Sequence, residues 1–219
     1  MRVATWNVEH ARRADGVADV ELAGRTVASL QADVVGLQEL DVRARRSDRV
    51  DQPAAIATVA AMRVEFAAAR RMGVLGRYGV ALLSRSLIDD VEVVRLPGAG
   101  ERRVALLART HGVSVAVTHL SRVRDDSARQ LDVLLDHLLA RPAPHVLLGD
   151  LNRRDHEVGA LTDRGLTVTG GPRTYPSDAP RLRIDHVAVS ADLTVVGTDV
   201  PSVAVSDHRP LVVDIEGHR

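Results

Sequence analysis

Cysteine and lysine are absent from this chain of 219 residues, aromatic residues number four, and neither sign of charge is in excess. Without cysteine there is no disulfide, no thiolate metal site and no cysteine nucleophile, so compartment cannot be read from redox chemistry. Arginine supplies every fixed positive side chain, a bias that a GC-rich coding sequence explains as well as function does, so Arg clusters alone carry little weight. With 29 acidic residues against 29 basic ones, the chain lacks the positive excess that holds nucleic acid by bulk electrostatics, although a local basic groove is compatible with that balance. The aromatics are Trp6, Phe66, Tyr78 and Tyr175, which leaves the core to Val, Ala and Leu. No apolar run is long enough to span a bilayer, and Met1-Arg2-Val3-Ala4-Thr5-Trp6 already reads as a strand rather than a leader. A cytoplasmic monomer is expected, folded as a single domain over residues 1–219 because no linker divides it.

Short apolar strands alternate with amphipathic helices along the whole length, the pattern of a layered α/β domain. Strands are predicted at Val3–Val8, Val34–Gln38, Gly79–Leu83, Val104–Ala108, Val113–Thr118, His145–Leu148, Ile184–Val189 and Leu211–Ile215. Most carry Val and Leu on both faces and should be buried. The clearest helix is Ser127–Leu139, where Leu131, Leu134, Leu135, Leu138 and Leu139 recur at helical spacing, with Asp126 as its cap and Pro142 as its stop. Others are predicted over Val20–Leu30 and from Pro53. Several strands without an intervening helix between about Leu75 and Thr118 suggest hairpins, hence mixed pairing rather than a purely parallel sheet. Asp41–Gln52 and Gly170–Pro180 read as loops long enough to carry function.

Polar residues concentrate where these strands end: Asn7, Glu39, His119, Asp150, Asn152, Asp185 and the pair Asp207-His208. Each alone has a bland reading, Asn7 as a turn former, Glu39 as a surface acid, Asp150 as a helix cap. Together they form an ordered series: Ala4-Thr5-Trp6-Asn7-Val8-Glu9, Leu37-Gln38-Glu39, Val117-Thr118-His119-Leu120, Leu148-Gly149-Asp150-Leu151-Asn152, Ile184-Asp185-His186-Val187 and Ser206-Asp207-His208-Arg209-Pro210. That series, with Gly79–Arg85 and the pair Thr174-Tyr175, resembles the signature of the endonuclease/exonuclease/phosphatase, or DNase I-like, family from residue 2 to residue 215. The resemblance implies a four-layer α/β sandwich, two mixed β-sheets packed face to face with helices outside.

Phosphoester hydrolysis needs a hard cation, an activated water and a proton source. Glu39, Asp207 and the amide oxygen of Asn7 are oxygen donors of the kind Mg²⁺ accepts, with Mn²⁺ as a substitute; by resemblance Glu39 is the principal ligand. Glu9 stands where many relatives have Asp and is placed at the edge of the ligand set. Crowding Glu39, Asp150 and Asp207 together is unfavourable without a cation, which supports a metal site independently of the resemblance. Asp150 is the candidate for orienting or deprotonating water, and Asn152 for a hydrogen bond to phosphate. His208 and His119 suit charge stabilisation or protonation of the leaving group. The resemblance implies that Asp185 holds His208. Arg122 and Arg173, with Arg124, Arg153 and Arg181, lie in loops adjoining these residues and could grip a substrate phosphate, although such loops are usually solvated. His10, His111, His137, His145, His156 and His218 fit no part of the signature and are read as surface or packing residues; His186 is read as structural.

The reaction class follows better than the substrate, since relatives cut DNA, RNA, phospholipid headgroups and inositol phosphates from one core. The expectation is a divalent-metal-dependent hydrolase of phosphodiester or phosphomonoester bonds, acting on a phosphorylated small molecule, a lipid headgroup or nucleic acid. A nuclease is the alternative reading, and the short, aromatic-poor interval from Asn152 to Thr174 tilts away from a DNA-repair enzyme. A non-catalytic module retaining the fold is a further alternative, opposed by the intact polar set. A calcineurin-like phosphoesterase is excluded because its Asp-x-His and Gly-Asn-His motifs do not occur.

Overall fold

Alternation along the first strand, β1 (Arg2–Asn7), sets the layering, because period-two geometry sends Val3 to one side of the sheet and Ala4 and Trp6 to the other, both into apolar surroundings. A computed structural model describes residues 1–217; His218 lies outside the described residues. Two six-stranded mixed sheets face each other. The first runs β11 (Leu193–Asp199), β12 (Leu211–Gly217), β1, β2 (Val34–Val42), β4 (Gly76–Ser84), β3 (Arg63–Met72). The second runs β5 (Asp89–Leu96), β6 (Arg103–Thr110), β7 (Val113–His119), β8 (His145–Asp150), β10 (Asp185–Ser190), β9 (Leu166–Val168). Val34, Leu82, Leu106, Val115, Val117, Leu148, Val187 and Val213 fill the space between them.

The outer faces are covered by helices. On the first sheet, α1 (Val20–Ser29) and α2 (Gln52–Ala60) bury Val27, Ile56 and Ala60 against Trp6, Val35 and Leu37. On the second, α3 (Arg124–Leu139) and α4 (Gly159–Asp163) lay Leu131, Leu134, Leu138 and Leu161 over Leu107, Ala116 and Leu147. This is the four-layer sandwich expected, and β5, β6 and β7 pair as antiparallel hairpins as anticipated. The start of α3 differs from expectation. It begins at Arg124 without a side-chain cap, and Asp126 sits inside the first turn, where it complements the helix dipole and accepts from Arg129 at 2.6 Å. Asp19 and Asp51 do cap α1 and α2, accepting from the backbone of Leu22 at 2.8 Å and Ala54 at 3.2 Å. Among the described residues no helix is long and apolar enough to cross a membrane.

Each sheet has one parallel pair at its centre, β1 beside β2 and β7 beside β8, and every other pairing is antiparallel. Parallel strands end at the same edge, and an antiparallel neighbour begins there. The C-terminal ends of β1, β2, β7 and β8 are therefore joined by the beginnings of β4, β6, β10 and β12, which brings eight strands to one rim.

Candidate active site

That rim holds the polar residues singled out in the sequence. Asn7 closes β1, His119 closes β7 and Asp150 closes β8, while Asp185 opens β10 directly opposite Asp150. Glu39 lies within β2, where pairing with β4 loses register between Leu37 and Leu40 and Glu39 takes a left-handed φ of 60°. A bulge re-aims a side chain that regular pleating would send elsewhere. Glu9, His10, Asn152 and Ser206, which flank the rim, also have positive φ, backbone of high conformational cost of the kind that functional sites hold.

Asn7 joins the two sheets. Its amide nitrogen donates to Glu39 Oε1 at 3.1 Å and to Asp150 Oδ2 at 3.0 Å, and its oxygen accepts from the Glu9 backbone at 3.1 Å. With two anions meeting at one amide, its nitrogen faces the carboxylates as donor. Asp150 accepts a second bond from the Asn152 backbone at 2.9 Å, while the Asn152 amide donates to the Leu120 carbonyl at 3.0 Å. These are the chain's two asparagines, and both act on Asp150.

His208 is buried and its Nδ1 lies 2.9 Å from Asp185 Oδ2, an oxygen that also accepts from Thr174. Its Nε2 lies 3.8 Å from Asp150 and 3.9 Å from Asp207. Burial opposes charge on this imidazole, but Asp185, then Asp150 and Asp207, outweigh it and push its pKa up to about 10. Asp150 is pushed up to about 7, by burial first and Asp185 second, against the pull of His208, Asn7 and Asn152. His119 shows the reverse. Burial, then Arg103 and His208, hold it well below the usual histidine range, and neither ring nitrogen has a hydrogen-bond partner, although Nε2 is 3.5 Å from Asp150 Oδ2. The rim thus combines an imidazolium, a neutral imidazole with free nitrogens and a carboxylate poised between its protonation states.

The loop carrying Asp207 and His208 is fixed by the first strand. Trp6 donates from its indole to the His208 carbonyl at 2.9 Å, and Ser206 donates to the Asn7 carbonyl at 2.6 Å while accepting from the His208 backbone at 3.0 Å. Glu9 accepts from the Asp207 backbone at 3.1 Å and from Arg12, so its carboxylate is largely engaged. Tyr175 packs on the His208 ring at 4.7 Å between centroids.

Groups able to ligate a cation are present in two adjoining arrangements. Asp150, Asp185 and His208 offer ligand atoms within 4.8 Å of one another and all three are buried. Glu39 and Asp207 are more open, with side chains 16% and 40% exposed, and both line a hollow of about 460 Å³ with Glu9, His10 and Arg122. A second cleft of about 360 Å³ continues from Glu39 past His119 and Arg122 to Arg70, Tyr78 and Arg103. Arg122 therefore reaches the cleft; Arg173 is exposed and lines neither hollow. His10, read from sequence as a surface or packing residue, stands at the site instead: Nε2 is 3.5 Å from the Glu39 carboxylate and Nδ1 is 3.0 Å from both the Glu39 carbonyl and Arg46. The pairing of Arg46 with the buried carboxylate of Asp41 places it there, a contact across the loop that spacing along the chain does not reveal. His186 bonds the Arg153 carbonyl at 2.7 Å and His145 the Arg141 carbonyl at 2.9 Å, both holding backbone.

The sequence profile of the Endonuclease/Exonuclease/phosphatase family matches residues 4–208. The chain belongs to this family. Among solved structures of the family, an endonuclease/exonuclease/phosphatase from Beutenbergia cavernae is 26% identical with a TM-score of 0.80, over 99% of this chain and 71% of that one. A mannosyl-6-phosphatase from Bacteroides thetaiotaomicron is 16% identical with a TM-score of 0.79, over 99% of both chains. A 3′ phosphatase from Neisseria, bound to a product DNA hairpin, is 23% identical with a TM-score of 0.71, again over 99% of both chains. No functionally curated protein matches the sequence. The hollows beside Glu39 are lined both by strand residues, Arg70, Tyr78, Arg103 and His119, and by loop residues such as Glu101 and Arg122.

Proposed function

We propose that the chain is a Mg²⁺-dependent phosphoester hydrolase acting on small phosphorylated molecules. The observation that carries this reading is the buried triad of Asp185, His208 and Asp150, joined through Asn7 to Glu39 at the mouth of an open cleft. Phosphatases among the relatives agree with that reaction class.

Glu39 and Asp207 would hold the cation, because the alternative group of Asp150, Asp185 and His208 is already committed to an internal ion pair that a metal would have to break. When bound, Mg²⁺ supplies charge neutralisation at the phosphoryl oxygens and lowers the pKa of water. The remaining work falls to the chain. Asp150, with a pKa near neutrality, takes the proton of the attacking water. His208, kept as imidazolium by Asp185, donates hydrogen bonds to the oxygens on which charge builds. His119, neutral and with free ring nitrogens, contributes a further N–H toward the phosphoryl group or the leaving oxygen. Asn152 has one amide hydrogen left for a phosphate oxygen, the other being used by Leu120.

A nucleic-acid substrate is less favoured by balanced charge and by aromatics that already pack on His208 or on arginines. A non-catalytic module gives no reason for burying two carboxylates beside a charged histidine. The test is release of nitrophenol from bis(p-nitrophenyl) phosphate and p-nitrophenyl phosphate with Mg²⁺, Mn²⁺ or excess chelator. Turnover with metal and none in chelator is expected, with Glu39→Gln shifting the metal requirement to higher concentration. Full activity in chelator, or a Glu39→Gln variant with unchanged metal dependence, refutes the assignment.

A further inference from the structure

One wall of the cleft is made of arginine. Arg103, the first residue of β6, is 7% exposed; its Nη2 meets Glu101 Oε2 at 3.0 Å, while its buried Nε and Nη1 have no hydrogen-bond partner. Buried guanidinium nitrogens without acceptors are costly and call for an explanation. Arg70 shares the same carboxylate, with Nε 2.8 Å from Glu101 Oε1, and Arg122 makes no ion pair among the described residues. Arg70 and Arg103 thus share a single glutamate, and with Arg122 in the same cleft the three guanidiniums exceed Glu101 by two positive charges, Glu39 at the far end of the cleft being its other carboxylate. Arg46, the other arginine of the cleft, is neutralised by Asp41.

The wall is built in advance. The buried side chain of Gln130 donates to the Pro97 carbonyl at 2.7 Å and accepts from the Ser121 backbone at 2.8 Å, which ties the β5–β6 loop to the loop after β7 on either side of the cleft. The cleft's aromatic ring offers no stacking platform, since Arg70 lies 5.0 Å and Arg46 5.6 Å from the centroid of the buried Tyr78 ring. A nucleobase has nowhere to stack here, whereas the exposed guanidinium of Arg122, without an ion pair among the described residues, is open to an anion.

We propose that Arg103, with Arg70 and Arg122, forms a second anion site that receives a dianionic phosphoryl group of a small substrate whose other phosphoester lies at Asp150 and His208. This rests on the hydrolase reading above for the fate of the second phosphoester, but not for the binding of the first. A dianionic phosphoryl group balances the two excess charges, and guanidinium forks match its oxygens.

Phosphate release from glucose 1,6-bisphosphate is to be compared with release from glucose 1-phosphate and glucose 6-phosphate in the presence of Mg²⁺. The bisphosphate should exceed either monophosphate in kcat/KM by at least about tenfold, mostly through KM. That preference should collapse toward unity in Arg103→Gln and in Arg70→Gln; the latter is partly exposed and carries the test should the former fail to fold. Calorimetric titration of inorganic phosphate in excess chelator provides a readout free of catalysis, with binding weakened by about tenfold or more in both variants. A protein that hydrolyses no phosphoester yet binds phosphate through Arg103 would refute the hydrolase reading and support the anion site. Equal kcat/KM for all three sugars, with phosphate binding indifferent to both substitutions, overturns the site. A short DNA strand turned over at a KM well below that of the bisphosphate, and raised by the same substitutions, overturns the small-molecule substrate.

Discussion

His208 shows how three neighbours decide the state of one side chain. If the imidazolium stabilises the transition state, His208→Ala should lower turnover by about a hundredfold or more, with folding intact by circular dichroism. Asp185→Asn should lose less, and the double variant should be little worse than His208→Ala, because the two act as a unit. The protonation state is itself testable. A folded pKa of about 10 lies above the free value of 6.5, so the ion pair's stabilisation is complete below about pH 6.5 and is lost as pH rises through about 10. In chelator, the denaturation midpoint should therefore fall from about pH 7 to about pH 10, and fall less in Asp185→Asn. An imidazole resonance of His208 that titrates near the ordinary value in the wild type would refute this. At this scale the sequence was informative for residues that end strands and silent for those brought in sideways. Asn7 and Asp150 end strands recognisable from their apolar runs, and Glu39 follows the apolar run at the start of β2 although the strand continues to Val42. His10, by contrast, reaches Glu39 through a bulge and a loop contact, and Arg103 opens a strand like many surface arginines.

Elements divide in the same way between interior and edge. The eight strands predicted from apolar runs are the interior ones, β1, β2, β4, β6, β7, β8, β10 and β12. The four that escaped notice, β3, β5, β9 and β11, are the four sheet edges. An edge strand shows solvent one side of its backbone and carries charge that discourages further pairing. β3 has Arg63, Glu65, Arg70 and Arg71, β5 has Asp89, Asp90, Glu92 and Arg95, and β9 is three residues long. Such segments lack the apolar pattern that marks a strand, just as α4, five residues long, lacks a helical period. The distinction predicts unequal tolerance. At Gly36, in the middle of β2, an added Cβ would lie 2.9 Å from Leu148 Cβ and 3.1 Å from Val117, both in the opposite sheet. Gly36→Ala should cost about 1–3 kcal/mol in urea denaturation, while Val93→Thr on the exposed face of β5 should stay within about 0.5 kcal/mol. Equal effects would mean that the space between the sheets is looser than described.

Over the whole molecule, balanced charge sets what the rim can attract. Long duplex DNA should bind weakly in chelator-containing buffer, without the steep salt dependence of a phosphate-neutralising surface; tight, strongly salt-sensitive binding measured by fluorescence anisotropy would contradict this. The two central parallel pairs and the antiparallel strands beside them draw the catalytic candidates together from Asn7 to His208. The contact between the Trp6 indole and the His208 carbonyl gives this arrangement a natural spectroscopic label. Trp6 is the chain's single tryptophan, so its emission comes from one buried point, where the first strand grips the loop before the last. The emission of the buried indole should give way to that of a solvated one, and catalysis be lost, together along a urea titration. In refolding, a stopped-flow trace of Trp6 would report the packing of α1 and α2 on the first strand and then the arrival of the His208 loop, the step that completes the active site.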